Sequence, residues 1–241
     1  DIRDVSTKFL TKFDALIILS AISNDPMGNK FEEVTNSINY LAVKKIIEPY
    51  VSLPNKRLVF ASSCSIYGAS EGDPKKEFDT LNPITAYAKS KVAVEKALQK
   101  CKMGDGTTAT SLRFATACGM SDRLRLDLVL NDFVASALIN NRIEILSDGT
   151  PWRPLIHVKD MSRAIEWAIH RDQNVAAPYL AVNTGSSLWN FQVSDLAKAV
   201  AKILPNCEVS INTKGQTDKR SYKVTLIYLK HLLLVTPLYI R

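Results

Sequence analysis

Nothing in this sequence clusters its glycines. Its 241 residues include only nine, and none falls in the G-x-x-G-x-x-G spacing that cradles phosphates. Cysteine is equally sparse. Cys64, Cys101, Cys118 and Cys207 lie far apart with no C-x-x-C pair, which argues against a disulfide framework or a structural zinc site. The three histidines, His157, His170 and His231, are dispersed, so no metal site is expected. A reduced, cytoplasmic protein is the expectation. The opening Asp1-Ile2-Arg3-Asp4 has no signal-peptide character. The apolar stretch 226–240 is interrupted by Lys230, His231 and Pro237 and is too short to span a bilayer, so no membrane partner is expected. Charge of one sign is not concentrated either. The net charge is +7, but the densest basic clusters, such as Lys44-Lys45 and Lys75-Lys76, are only pairs. That pattern predicts a solvated surface that helps hold an anionic small molecule, and no nucleic-acid partner.

What remains is ordinary globular composition, 46% hydrophobic and 23% charged, with an alternating pattern of elements. Residues 14–21 (DALIILSA) are a short continuous apolar run of the kind that forms a strand buried on both faces, 57–63 (RLVFASS) read as a second buried strand and 110–115 (TSLRFA) as a third strand. A polar loop with Asn24, Asp25, Pro26 and Gly28 follows the first. Helical spacing runs over residues 31–50, with Val34, Ile38, Leu41 and Ile46 on one face, and a long helix is predicted over 83–100. Further on, 127–140 and 159–170 read as helices, and 143–146 and 155–158 as short strands. Strand and helix in alternation predict an α/β fold with a parallel sheet, whose ligands sit beyond the carboxyl ends of the strands.

The residues in those positions carry chemistry. Tyr87 and Lys91 are spaced Y-x-x-x-K on the predicted helix, one turn apart on a shared face. An ammonium there is expected to lower the tyrosine pKa toward acid/base work near neutral pH. The second strand ends in Ser62-Ser63-Cys64-Ser65-Ile66-Tyr67-Gly68, placing hydroxyls at its carboxyl end.

Together, PITAYAKSK and SSCSIYG resemble the extended short-chain dehydrogenase/reductase family, particularly its NAD-dependent nucleotide-sugar epimerases and dehydratases. The resemblance implies a Rossmann-like doubly wound parallel sheet with a smaller C-terminal substrate-binding region. It implies catalytic roles for Ser63, Tyr87 and Lys91, with Lys91 also holding the nicotinamide ribose. Asp1-Ile2 looks like the family's adenine-contacting pair and favours NAD as cofactor. Leu19-Ser20-Ala21 looks like its L-A-A turn along the cofactor, and Asn39 like its helix asparagine. Phe114 and Thr116 match the strand-end pair beside the nicotinamide. For the substrate, Ser63, Asn131, Arg153 and Arg220 match sugar- or diphosphate-binding positions, although Pro154 replaces the aspartate that usually follows Arg153.

The family's glycine-rich turn lies before the point where these residues begin, so the N-terminal part of the fold, two βα units of about 50–60 residues, is expected to be missing from them. On this resemblance residues 1–119 form a partial NAD-binding Rossmann domain. Residues 120–241 form mainly the nucleotide-sugar-binding region, with about 155–183 returning to the Rossmann domain. The shared chemistry is oxidation at carbon 4 of the sugar. Dehydratases of the family carry Asp-Glu after the catalytic hydroxyl residue, where this chain has Cys64 and Ser65. A UDP-hexose 4-epimerase is therefore favoured over a 4,6-dehydratase or a 4-ketoreductase, and over a truncated, non-catalytic nucleotide-sugar-binding remnant. Substrate choice is expected to lie in loops around 23–29, 68–86 and 119–131. A homodimer through the helices at 31–50 and 83–100 is the family expectation. The tail after Thr225 is expected to be a packed helix.

Overall fold

A computed structural model describes residues 1–70, 72–174, 176–204, 206–212 and 220–225. Four strands form its main sheet: β1 (Ala15–Ile18), β2 (Arg57–Ser63), β3 (Thr108–Phe114) and β7 (Tyr179–Thr184), in the order β1-β2-β3-β7 and all parallel. Every residue of β3 is buried, although Thr108, Thr110, Ser111 and Arg113 are polar.

Helices cover both faces. On one, Val43, Ile46, Ile47 and Tyr50 of α4 (Val43–Val51) and Val94 and Leu98 of α5 (Ala86–Lys100) pack on Leu58 and Phe60 of β2. On the other, Ala164 and Ala168 of α7 (Val158–His170) pack on Val59, Leu112 and Val182. Alternate residues of β2 thus feed opposite cores, which makes the sheet doubly wound and Rossmann-like. β1 stands at its edge, preceded by the short α1 (Thr7–Leu10), and leaves Ile17 40% exposed.

A smaller lobe follows β3. Its strands β4 (Thr116–Cys118), β6 (Trp152–His157) and β8 (Asn190–Gln192) form one sheet, and β5 (Arg142–Ile145) pairs with β9 (Glu208–Ile211). Between them, α6 (Val129–Asn140) and α8 (Val193–Ile203) bury Phe133, Ala137, Leu196 and Val200 against Ile143, Ile145 and Leu155. β7 then returns the chain to the main sheet beside β3.

Two expectations change. The polar loop after β1 contains a helix, α2 (Asp25–Lys30), whose first turn is capped by Asn24 accepting from the Met27 N–H at 3.0 Å, with Pro26 in that turn. The helix expected over 31–50 is interrupted: α3 (Glu32–Asn36) passes through a π-helical stretch, Ser37–Ala42, before α4. Asn39 sits in that stretch, 1% exposed. Its side chain accepts from the Ile22 N–H at 2.8 Å and donates to the Ile22 carbonyl at 3.0 Å, fixing the turn after β1. The tail beyond Thr225 lies outside the described residues.

Candidate active site

A cleft of about 700 Å³ lies at the carboxyl ends of the strands, between the sheet and the smaller lobe. One wall comes from β2 and α5. Thr85 caps α5 by accepting from the Ala88 N–H at 3.1 Å, which sets where the helix starts and so which face carries Tyr87 and Lys91. The Ser63 side chain accepts from the Ser65 N–H at 3.2 Å and lies near enough to the Tyr87 phenol to favour its ionised form. The Lys91 ammonium donates to the Ala61 carbonyl at 2.7 Å and lies 5.2 Å from the Tyr87 ring centroid. Gly68 closes the strand-end turn with φ of +63°, where an added Cβ would stand 1.9 Å from the Asn82 carbonyl oxygen.

Burial dominates the electrostatics. It pushes the Tyr87 phenol well above its ordinary value, against the influence of Ser63. The expectation that Lys91 lowers that value is thereby corrected for the ligand-free chain: desolvating a phenolate outweighs a neighbouring amine that burial has itself pulled down to about 7. Lys91 is thus poised to exchange its proton near neutral pH.

Behind this wall lies a charged network that the sequence did not disclose. Glu95, one turn beyond Lys91, takes the Ser62 hydroxyl and the Arg113 guanidinium, the latter at 2.7 Å. Arg113 also donates to the Tyr67 hydroxyl at 3.0 Å, and Tyr67 donates to Asn183 at 2.7 Å. Residues 87, 91 and 95 of α5 therefore grip Ser63, Ala61 and Ser62 of β2.

Arg153 of β6, Arg220 and Tyr222 also line the cleft, with Tyr222 packed on Cys64, Ile66 and Tyr67 just beyond β2. Arg220 forms an ion pair with Asp25 of α2, and Arg153 donates to the Arg220 carbonyl. Arg125 lines the same cleft, chelated by Asp127 at 2.6 and 2.7 Å and donating to Ser23 at 2.9 Å. That pairing holds the Asp127 carboxyl far below the ordinary carboxylate range.

Of the residues singled out by sequence, Ser63, Tyr87, Lys91, Leu19, Ala21, Phe114, Thr116, Arg153 and Arg220 line this cleft. Asp1, Ile2, Ser20, Asn39 and Asn131 do not. Asp1 caps the first turn and binds Arg3 at 2.6 Å. Asn131 spans the 119–125 loop, accepting from the Gly119 N–H at 3.1 Å and donating to the Arg125 carbonyl at 3.0 Å, so it shapes the loop. His157 caps α7 through Nδ1. Sequence reasoning missed Asp25, Arg125 and Tyr222; the one available signal was that Asp25 follows a strand's carboxyl end.

The family model for the NAD dependent epimerase/dehydratase family matches residues 1–185, which is most of the chain. The chain belongs to that family. Among curated relatives of this epimerase/dehydratase chain, the probable UDP-glucuronate 4-epimerase of Rhizobium meliloti is 33% identical over 165 residues, 66% of this chain and 46% of that protein. The UDP-glucose 4-epimerase of Lactobacillus helveticus is 25% identical over 207 residues, 80% of this chain and 63% of that protein. The chain thus spans about half to two thirds of the length of these relatives. Among solved structures, MoeE5 in complex with UDP-glucuronic acid and NAD superposes with a TM-score of 0.82 at 24% identity, covering 98% of this chain and 78% of that one. The UDP-N-acetylglucosamine 4-epimerase from Methanobrevibacter ruminantium M1 gives 0.82 at 21% identity, covering 96% and 74%. At such identities the likeness establishes the fold.

Proposed function

We propose that the chain carries the catalytic and substrate-binding parts of an NAD-dependent nucleotide-sugar epimerase that interconverts UDP-hexoses through a 4-keto sugar. The observation that carries this reading is the convergence of Ser63, Tyr87 and Lys91 on one cleft that Arg153 and Arg220 also line. Guanidinium groups suit a diphosphate. The remaining donor set suits the nicotinamide end of NAD: a lysine amine for the ribose diol, with Phe114 and Thr116 at the strand ends beside it. When bound, NAD supplies reversible hydride acceptance.

The chain's own residues handle the proton. Tyr87 takes it from the sugar 4-hydroxyl and returns it, Ser63 orients that oxygen, and Lys91 holds the ribose. Elimination of water needs a further acid/base pair after Ser63. Cys64 donates to the Arg113 carbonyl at 3.0 Å, its thiol pushed far up by burial, and Ser65 is buried beside it. Epimerisation is therefore favoured over dehydration. No helix among the described residues is long and apolar enough to cross a membrane. A homodimer through α4 and α5 belongs to the same reading.

The deciding experiment incubates the protein with NAD and UDP-glucose and follows UDP-galactose by chromatography. Interconversion supports the reading, and a 4-keto-6-deoxy product would replace it with dehydration.

A further inference from the structure

Asp25 opens α2 and lines the cleft. Its place is set by α5: Asn29 accepts from the Ala86 N–H at 3.0 Å, and a Cβ added at Gly28 would stand 3.9 Å from the Tyr87 Cβ. One carboxylate oxygen, Oδ2, pairs with Arg220. The other, Oδ1, is buried with no hydrogen-bond partner among the described residues. The charge of Asp25 is felt at Tyr87, Tyr222 and Arg125, and Arg125 is already matched by Asp127. A diphosphate on Arg220, as the proposed function requires, competes with Asp25 for the guanidinium donors. The carboxylate, through its buried Oδ1, then faces the sugar in the cleft it shares with Tyr87, and a carboxylate only accepts hydrogen bonds.

We propose that Asp25 is a specificity-determining residue that pairs with Arg220 through Oδ2 and accepts a sugar hydroxyl when a diphosphate engages Arg220. The inference rests on the nucleotide-sugar reading and narrows it: the substrate is a neutral hexose nucleotide. A hexuronate would set a second carboxylate against Asp25, and like charges across a desolvated contact are strongly disfavoured.

Titration calorimetry of the 241-residue chain and of Asp25→Asn with UDP, UDP-glucose and UDP-glucuronate tests this. The wild-type chain is expected to bind UDP-glucose at least about tenfold more tightly than UDP-glucuronate. In Asp25→Asn the gap narrows to within about threefold, and UDP alone binds more tightly because Arg220 is released. An unchanged gap in the variant, or a wild-type preference for UDP-glucuronate, overturns the inference while UDP binding keeps the nucleotide-sugar reading intact. No UDP binding by the wild-type chain overturns both. If circular dichroism finds the variant unfolded, the wild-type preference alone decides.

Discussion

Tyr87 and Lys91 sit one helical turn apart, yet burial moves their proton affinities in opposite directions. The phenol is pushed up and the amine is pulled down to about 7. Removing the phenol leaves the 4-hydroxyl without its acid/base group, so Tyr87→Phe is expected to lower turnover by about 10²–10⁴-fold. A variant retaining half of wild-type turnover would rule Tyr87 out of that role. Lys91 makes a separate prediction about stability. Its pKa is about 7 in the folded chain, against 10.5 for an ordinary solvated lysine. Between those values the unfolded chain holds a proton that the folded chain has released, so stability rises with pH across that window. Below it both states carry the charge and the desolvation cost is full, and above it both are neutral. Urea unfolding of wild type and Lys91→Met from pH 6.5 to 9.5 (about the accessible part of the window) is expected to show wild type gaining on the variant as pH rises. A constant difference would contradict the assignment. This pair and Ser63 were legible in the sequence because a helical repeat and a strand end are local features. Asp25 and Tyr222 were not, because they reach the cleft only through tertiary approach.

At the scale of elements, the grip of α5 on β2 depends on a buried charge pair. Glu95 and Arg113 have side chains only 6% and 7% exposed, so truncating the carboxylate strands a buried guanidinium. Glu95→Ala is expected to cost about 3–5 kcal/mol of unfolding free energy, read from urea midpoints, with a smaller loss for the isosteric Glu95→Gln. A loss below about 1 kcal/mol would mean that water or relaxation replaces the pair. β1 and β2 were legible because strands of a sheet covered on both faces read as apolar runs, whereas β3 carries Thr108, Thr110, Ser111 and Arg113 among its buried residues. Among the elements missed, α2 matters to the cleft: its capping Asn24 and its Pro26 are also turn residues, and six residues are too few to display a helical period. The π-helical stretch was hidden for a related reason. One extra residue in a turn leaves an i, i+3, i+4 pattern nearly unchanged, and only the burial of Asn39 discloses it.

For the whole molecule, a ligand held by both walls of the cleft couples the sheet to the smaller lobe. UDP at a hundred times its Kd is expected to stabilise the chain by about 2.7 kcal/mol, visible as a rise in thermal midpoint. Arg153→Met should need a higher UDP concentration for the same rise, and an identical dose response would remove Arg153 from the diphosphate site. β7 was not legible in the sequence and reads as a strand only once it is paired with β3. The ion pair between Asp25 and Arg220 has one more consequence. Its partners stand 195 residues apart. During synthesis α5 and its tyrosine leave the ribosome long before Arg220 does, so the growing chain carries its acid/base residues on an open face. Contacts of such large sequence separation form late, after the sheet and its helices. The cleft is therefore the last part of the molecule to be assembled.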